Sequence, residues 1–366
     1  MPLRRCEGCG LPRKLSERYV WPGNGVILAR NDPEMRMVIF EADYYACVWS
    51  ELERRLGVSV AEAMIRGQQA ATLDYLRNHI LYGWRIHVVR HLPTRLLFEA
   101  IMREMPLLGL CRMELLSFSW RKFIVLKVIS PFDIISIAWG AKGLLEYSTG
   151  KRSELSWRKE GEDYILTVML MPREGREDAV DREAMEIMRG AKKELCLGGD
   201  LMPPGEERGD NCPSCGLPLA LAELEWVEEE GVIRRRDSGR RYIFTTGHIL
   251  TGVIRGLERK LGLDIDPLVM QISKEFHLRD LRGINIRTRH GAYRSAARYL
   301  MSGGFGKVLE YSYGEGHLEM TIGNPFYLPR LVGRIAGLFE YLEGEEAEIN
   351  HRMLDSQTLR LELKTI

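Results

Sequence analysis

The chain has 366 residues, enough for two domains that each bury a core, and sets 52 Lys+Arg against 51 Asp+Glu. A net charge of +1 removes any global electrostatic drive toward nucleic acid or an anionic membrane and leaves only local patches. No apolar run reaches the roughly 18 residues of a membrane span, and no leader-like start is present, so the expectation is a cytoplasmic protein without a transmembrane segment.

Taken in order, the chain opens with Cys6-Glu7-Gly8-Cys9-Gly10-Leu11-Pro12, a tight turn that aims two sulfurs at one point. Residues 19–40 alternate in polarity and are broken by Pro22-Gly23-Asn24-Gly25 and Asn31-Asp32-Pro33, which predicts short antiparallel strands. Helical spacing over 41–56 ends at Gly57, a left-handed cap position, and a second helix is expected over 60–81. A third is expected at 94–104, then strands at 113–120 and 123–129, a helix at 131–147, and two closing strands. The charged stretch 173–210 reads as a solvated helix followed by a loop, broken at Gly198-Gly199 and Pro203-Pro204-Gly205, and it sets the domain boundary. The expected division is 1–172, a linker 173–210, and 211–366.

The second half repeats the first. Cys212-Pro213-Ser214-Cys215-Gly216-Leu217-Pro218 returns 206 residues after Cys6 (212−6). Gly25-Val26-Ile27 matches Gly231-Val232-Ile233, Ile39-Phe40 matches Ile243-Phe244, and the helix ending Leu56-Gly57 is echoed by Leu261-Gly262. Helices are expected at 267–281, where Pro267 suits a first turn, and at 284–301. The strands at 307–313 and 317–322 follow, then a helix at 325–341. Here Ser130-Pro131-Phe132, Gly143-Leu144-Leu145-Glu146-Tyr147 and Gly150 recur as Asn324-Pro325-Phe326, Gly337-Leu338-Phe339-Glu340-Tyr341 and Gly344, all 194 residues on (324−130). The expected architecture is therefore α+β: two tandem copies of a sheet-plus-helices unit forming a pseudo-dimer, each headed by a knuckle like that of a zinc ribbon.

One Cys-x-x-Cys pair supplies half of a tetrahedral thiolate site. The preferred reading is a single structural zinc held by Cys6, Cys9, Cys212 and Cys215 across the pseudo-two-fold, since isologous contacts bring like surfaces together. Separate sites completed by residues such as His79, an iron centre, or redox thiols are the alternatives. Cys47, Cys111 and Cys196 have no partner at metal spacing and read as small hydrophobes. The basic groups Arg234-Arg235-Arg236, Arg240-Arg241, Arg282, Arg287, Arg289, His290, Arg294 and Arg298, with Arg85, His87, Arg90, His91 and Arg95 in the first half, suit phosphate or carboxylate. A solvated face explains them more simply, and nucleic acid is not the expected partner. No phosphate-cradling loop, metalloprotease helix or nucleophile elbow is present.

The Phe305-Gly306 strand start, Asn324-Pro325-Phe326, Gly333, Gly337-Leu338-Phe339-Glu340 and Gly344, with their first-half counterparts, resemble the 4-vinyl reductase domain family. The resemblance covers roughly the last third of each half. It implies an α+β fold similar to subunits of a vesicle-tethering complex, and a pocket for aromatic or lipid-like ligands between helices and sheet. Where many members carry cysteines, this chain has Pro-Phe, Trp157 and His351, and it has no nicotinamide or flavin fingerprint. The expected function is binding or sensing of an apolar or amphipathic small molecule, with an interaction scaffold as the alternative and a reductase third. Trp139, Tyr293, Arg294 and Tyr311 are the candidate lining residues. Because the halves have diverged, either one pocket survives or the two differ in ligand.

Overall fold

A computed structural model describes residues 3–75, 94–119, 122–171, 182–205, 210–282 and 288–366. Among these residues fourteen strands form three antiparallel sheets and ten α-helices pack around them, which makes the chain an α+β protein.

Both halves build the central sheet. Strands β1 (Tyr19–Val20), β2 (Ile27–Ala29) and β3 (Asp32–Glu41) join β8 (Leu224–Val227), β9 (Val232–Arg235) and β10 (Arg241–Thr246) in the order β1-β2-β3-β10-β9-β8. The seam is the β3–β10 pair, with Ile39 opposite Phe244 and Phe40 opposite Ile243. Ile39 and Phe244 enter one hydrophobic core, Phe40 and Ile243 the other. Ile39 and Phe244 therefore share one face of the sheet, whereas the sequence match set Ile39 beside Ile243, one position away and on the other face. Both cores draw on residues from the two halves, so neither half encloses a core of its own.

Each half adds a four-stranded sheet. The first holds β4 (Arg112–Ser119), β5 (Phe123–Ile129), β6 (Ser153–Glu160) and β7 (Asp163–Leu170) in the order β4-β5-β7-β6; the second holds β11 (Lys307–Gly314), β12 (His317–Gly323), β13 (Ala347–Met353) and β14 (Thr358–Thr365) in the order β11-β12-β14-β13. The helices are α1 (Arg13–Arg18), α2 (Ala42–Leu56), α3 (Ala61–Tyr75), α4 (Thr94–Met102), α5 (Ile134–Thr149), α6 (Arg182–Leu195), α7 (His248–Leu261), α8 (Asp266–Leu281), α9 (Arg289–Gly303) and α10 (Leu328–Glu343). Gly57 and Gly262 close α2 and α7 in the left-handed conformation expected of them.

Helices α5 and α10 begin three residues after the prolines that were expected to open them. The Pro-Phe turns have another task. Ser130 and Asn324 stand at φ of 46° and 49°, and that turn presents their carbonyls to an arginine of the opposite half. Arg36 of β3 donates to Asn324 O at 2.7 Å and to Pro325 O at 3.2 Å, while Arg241 of β10 donates to Ser130 O at 2.7 Å and Pro131 O at 3.2 Å. The same exchange recurs elsewhere. Trp21 Nε1 donates to Ser302 O, and Trp226 Nε1 to Leu107 O. The rest of the repeated motif is structural too. Buried Glu146 and Glu340 accept the backbone N–H groups of Ser153 and Ala347, which start β6 and β13. Gly333 and Gly337 allow α10 to lie against α8, where an added Cβ would meet backbone carbonyls at 2.2 and 2.6 Å.

The linker helix corrects a second expectation. Helix α6 is not solvated: Met185, Met188, Ala191 and Leu195 form a buried stripe at helical spacing, and Lys192 Nζ pairs with Asp32 at 2.6 Å. Residues 206–209 of the loop after it lie outside the described residues, as do 76–93 and 283–287, which hold His79, Arg85, His87, Arg90, His91 and Arg287.

Gly25 and Gly231 lie just before β2 and β9, each against a strand start of the other half, at φ of 82° and 69°. A Cβ on Gly25 would stand 2.1 Å from the carbonyl carbon of Gly306, and one on Gly231 2.1 Å from that of Cys111. Left-handed backbone alone costs about 1–2 kcal/mol for other residues, and here strand starts must also shift. Gly231→Ala is expected to lose more than that in urea unfolding, whereas Gly239→Ala, also left-handed but with open space around it, should lose only the backbone share.

Candidate functional site

The two cysteine turns face each other at one end of the central sheet. Each is closed in the same way: Gly10 N donates to Cys6 O and Gly216 N to Cys212 O, both at 2.8 Å, with Gly10 and Gly216 left-handed at φ of 73° and 75°. Cys6 Sγ lies 3.8 Å from Cys212 Sγ and Cys9 Sγ lies 3.5 Å from Cys215 Sγ, and all four sulfurs fall within 4.8 Å of one another. A tetrahedron with about 2.3 Å metal–sulfur arms has edges of about 3.8 Å, so the sulfurs stand where four ligands of one ion would stand. They are far beyond the roughly 2.05 Å of a disulfide, and all seven cysteines are free. Burial raises the Cys9 and Cys215 thiols and acts in the same direction at Cys212, but there the backbone N–H groups of Ser214 and Cys215, together with the Cys9 and Cys215 thiols, outweigh burial and bring the group down to about 6. A Cβ on Gly8 would approach Ser214 Oγ to 2.8 Å and Cys212 Sγ to 3.0 Å, so the two turns leave no room for a side chain there. Cys6, Cys9, Cys212 and Cys215 thus form a possible metal site that joins the two halves.

The other cysteines are not poised for chemistry. Burial pushes the Cys111 thiol up to about 12 and also raises Cys47 and Cys196. Cys196 Sγ donates to Glu34 O at 2.8 Å, and Cys47 Sγ accepts from Arg279 at 3.3 Å. The arginine run 234–241 is engaged within the fold: Arg234 pairs with Glu230, Arg235 with Asp237, Arg236 with Glu225 and Arg240 with Asp280, while Arg241 serves Ser130 and Pro131.

A mostly apolar cavity of about 130 Å³ lies against α3, α4 and α5 of the N-terminal half and is closed by β10, α7 and Phe326 of the C-terminal half. Its wall includes Ala71, Phe98, Phe132, Ala141, Ile243 and Leu250, with Ser136 and Gly140 of α5 facing it as well. Ser136 Oγ is bonded to Tyr45 OH at 3.2 Å, so this polar group is satisfied locally. None of Trp139, Tyr293, Arg294 and Tyr311 is on this wall. Trp139 is half-buried under the Lys142 ammonium, 5.5 Å from its ring, and Arg294 is exposed on α9. Tyr293 is buried beside Tyr311 and Tyr313 with ring centroids at 6.3 and 5.5 Å, and Tyr311 OH lies 3.5 Å from His290 Nδ1.

The C-terminal half carries charge at the matching positions. Stepping 194 residues from Ser136 and Gly140 gives Arg330 and Arg334 of α10. Arg330, fully buried, lies over Phe40 and Tyr44 at 4.2 and 4.1 Å and donates to Glu41 at 3.2 Å. Arg334 stacks on Tyr299 at 3.9 Å and donates to Glu41 at 2.8 Å. Burial alone would raise the Glu41 carboxyl, but Arg334 and Arg330 hold it well below the carboxylate range. His277 sits against Arg334 and is held neutral by burial and by that guanidinium.

No protein-family model, no curated protein and no solved structure matches the chain. Among the described residues no helix is long and apolar enough to cross a membrane.

Proposed function

We propose that this chain is a small-molecule-binding protein whose N-terminal half takes a compact aromatic or otherwise apolar ligand. In this reading Cys6, Cys9, Cys212 and Cys215 hold a structural zinc ion that clamps the two halves. The reading rests on the lining at one pair of positions: Ser136 and Gly140 face a mostly apolar cavity, whereas Arg330 and Arg334 put charge at the equivalent positions of the C-terminal half. A cavity of about 150 Å³ admits a molecule of benzene size, and this one is close to that size, with a mostly apolar wall to which Gln68, Thr72, Thr245 and Thr246 add polar points. The likeness to the 4-vinyl reductase domain family, and with it descent of the halves from one ancestral unit, agrees with a pocket between helices and sheet. The reciprocal contacts Arg36–Asn324 and Arg241–Ser130 are those an ancestral two-fold dimer would have used.

Zinc would supply no chemistry beyond charge neutralisation and cross-linking of four thiolates, since all four positions of a tetrahedral ion would be taken by protein. Fluorobenzene tests the ligand reading. It should bind saturably by ¹⁹F NMR and raise Tm, and Ala141→Leu, which fills the cavity from α5, should abolish binding and itself raise Tm. Fluorobenzene binding that is unchanged in Ala141→Leu, or absent in the wild-type chain, removes this reading.

A further inference from the structure

The C-terminal half holds a separate cavity of about 230 Å³ between α8, α9 and α10. It is amphipathic. Arg334, His277, Asp280 and Tyr299 form one side, and Ile335 and Leu338 of α10 supply apolar wall. Arg235, also on the wall, is already paired with Asp237 at 3.0 Å.

Around Glu41 there is a local surplus of one cation. Glu41 is shared by two guanidiniums, Arg330 at 3.2 Å and Arg334 at 2.8 Å, while Asp280 is neutralised by Arg240. Arg330 is sealed in the core, so the surplus is available only at Arg334, whose side chain is 21% exposed. The Arg334 fork is held in place. Tyr299 stacks on its face, and Nη1 is fixed by Glu41 and by His277 Nε2 at 3.3 Å. Its Nε–H and Nη2–H groups have no hydrogen-bond acceptor among the described residues. A planar fork with two open donors matches a carboxylate.

We infer that this second cavity binds a small amphipathic carboxylate, its head on Arg334 and its apolar body against Ile335 and Leu338. The two halves would then hold ligands of different classes, a neutral apolar one and an anionic one. This site does not depend on the first cavity being occupied.

The test uses 4-fluorobenzoate and its neutral counterpart 4-fluorobenzamide with the full chain, followed by ¹⁹F NMR and calorimetry. The benzoate should bind saturably and at least 10-fold more tightly than the benzamide. Arg334→Gln should weaken it about 10- to 100-fold, the range of a charge-assisted hydrogen-bond pair, with Arg334→Lys in between. Because Arg334→Gln also disturbs Glu41, Leu338→Trp serves as a second variant: it leaves the ion cluster intact and blocks the apolar side, and should abolish benzoate binding. Equal affinity for benzoate and benzamide, or wild-type benzoate binding in Leu338→Trp, overturns the inference. Fluorobenzene separates the two sites, since its binding should survive Leu338→Trp and disappear in Ala141→Leu.

Discussion

Cys212→Ser is expected to release the metal and to lower Tm more than any single change outside the hydrophobic core clusters. A structural zinc site can supply on the order of 10 kcal/mol of folding free energy, comparable with the whole stability of an ordinary domain. The loss is capped here, because the halves are also joined by the β3–β10 seam and by the Arg36 and Arg241 latches. The knuckles and the core they cover, which includes Leu11, Leu15, Leu217 and Leu221, should therefore open first. Limited proteolysis should cut near residues 3–18 and 210–223 while the seam stays protected. Cys47→Ser, at a thiol distant from the cluster in sequence and held by Arg279, should change neither metal content nor the cleavage pattern. A Cys212→Ser protein with unchanged Tm and unchanged proteolysis would remove the clamp.

Glu41→Ala should destabilise the protein by about 3–5 kcal/mol, the range for removing one partner of a buried ion pair. Glu41 is 1% exposed, and its loss would strand Arg330, which has no exposure at all. Arg334 can rehydrate in part through the second cavity. The double change Glu41→Leu with Arg330→Met should recover much of the loss, since buried ion pairs are often replaced by apolar groups without penalty. The pH dependence has a definite sign. The folded-state carboxyl is held below its unfolded value of about 4.3, so its contribution is present above that pH and is lost as pH falls through and below it. Urea unfolding from pH 7 to pH 3 should show this acid limb in the wild-type chain and a flatter one in Glu41→Ala. A Glu41→Ala loss below 1 kcal/mol, or an acid limb of undiminished slope, contradicts the assignment.

Local structure was largely legible in the sequence. Gly57, Gly262 and Gly344 stop helices because each is left-handed where the helical spacing ends, and the cysteine turns announced themselves by their shared Gly-Leu-Pro tail. The exchange between halves was not legible. Arg36 and Arg241 look like ordinary strand arginines until the seam places each against the opposite half's Pro-Phe turn, and a repeat says how each half is built but not which edge pairs. Helix α6 was misread because its charged residues outnumber its apolar ones, although Met185, Met188 and Leu195 already had the spacing of a buried stripe. The large amphipathic side chains Trp139 and Tyr311 do not mark the cavity wall. The informative sign is the difference in lining, Ser136, Gly140 and Ala141 on one cavity against Arg334 and Ile335 on the other.

Cys6, Cys9, Cys212 and Cys215 are placed to hold one ion between the two halves. Metal analysis of the protein purified without chelator, combined with alkylation of accessible thiols, tests it most directly. One zinc ion per chain, with Cys6, Cys9, Cys212 and Cys215 protected until a chelator is added, is the predicted result. Two ions per chain, or no metal with all four thiols freely alkylated, would contradict it.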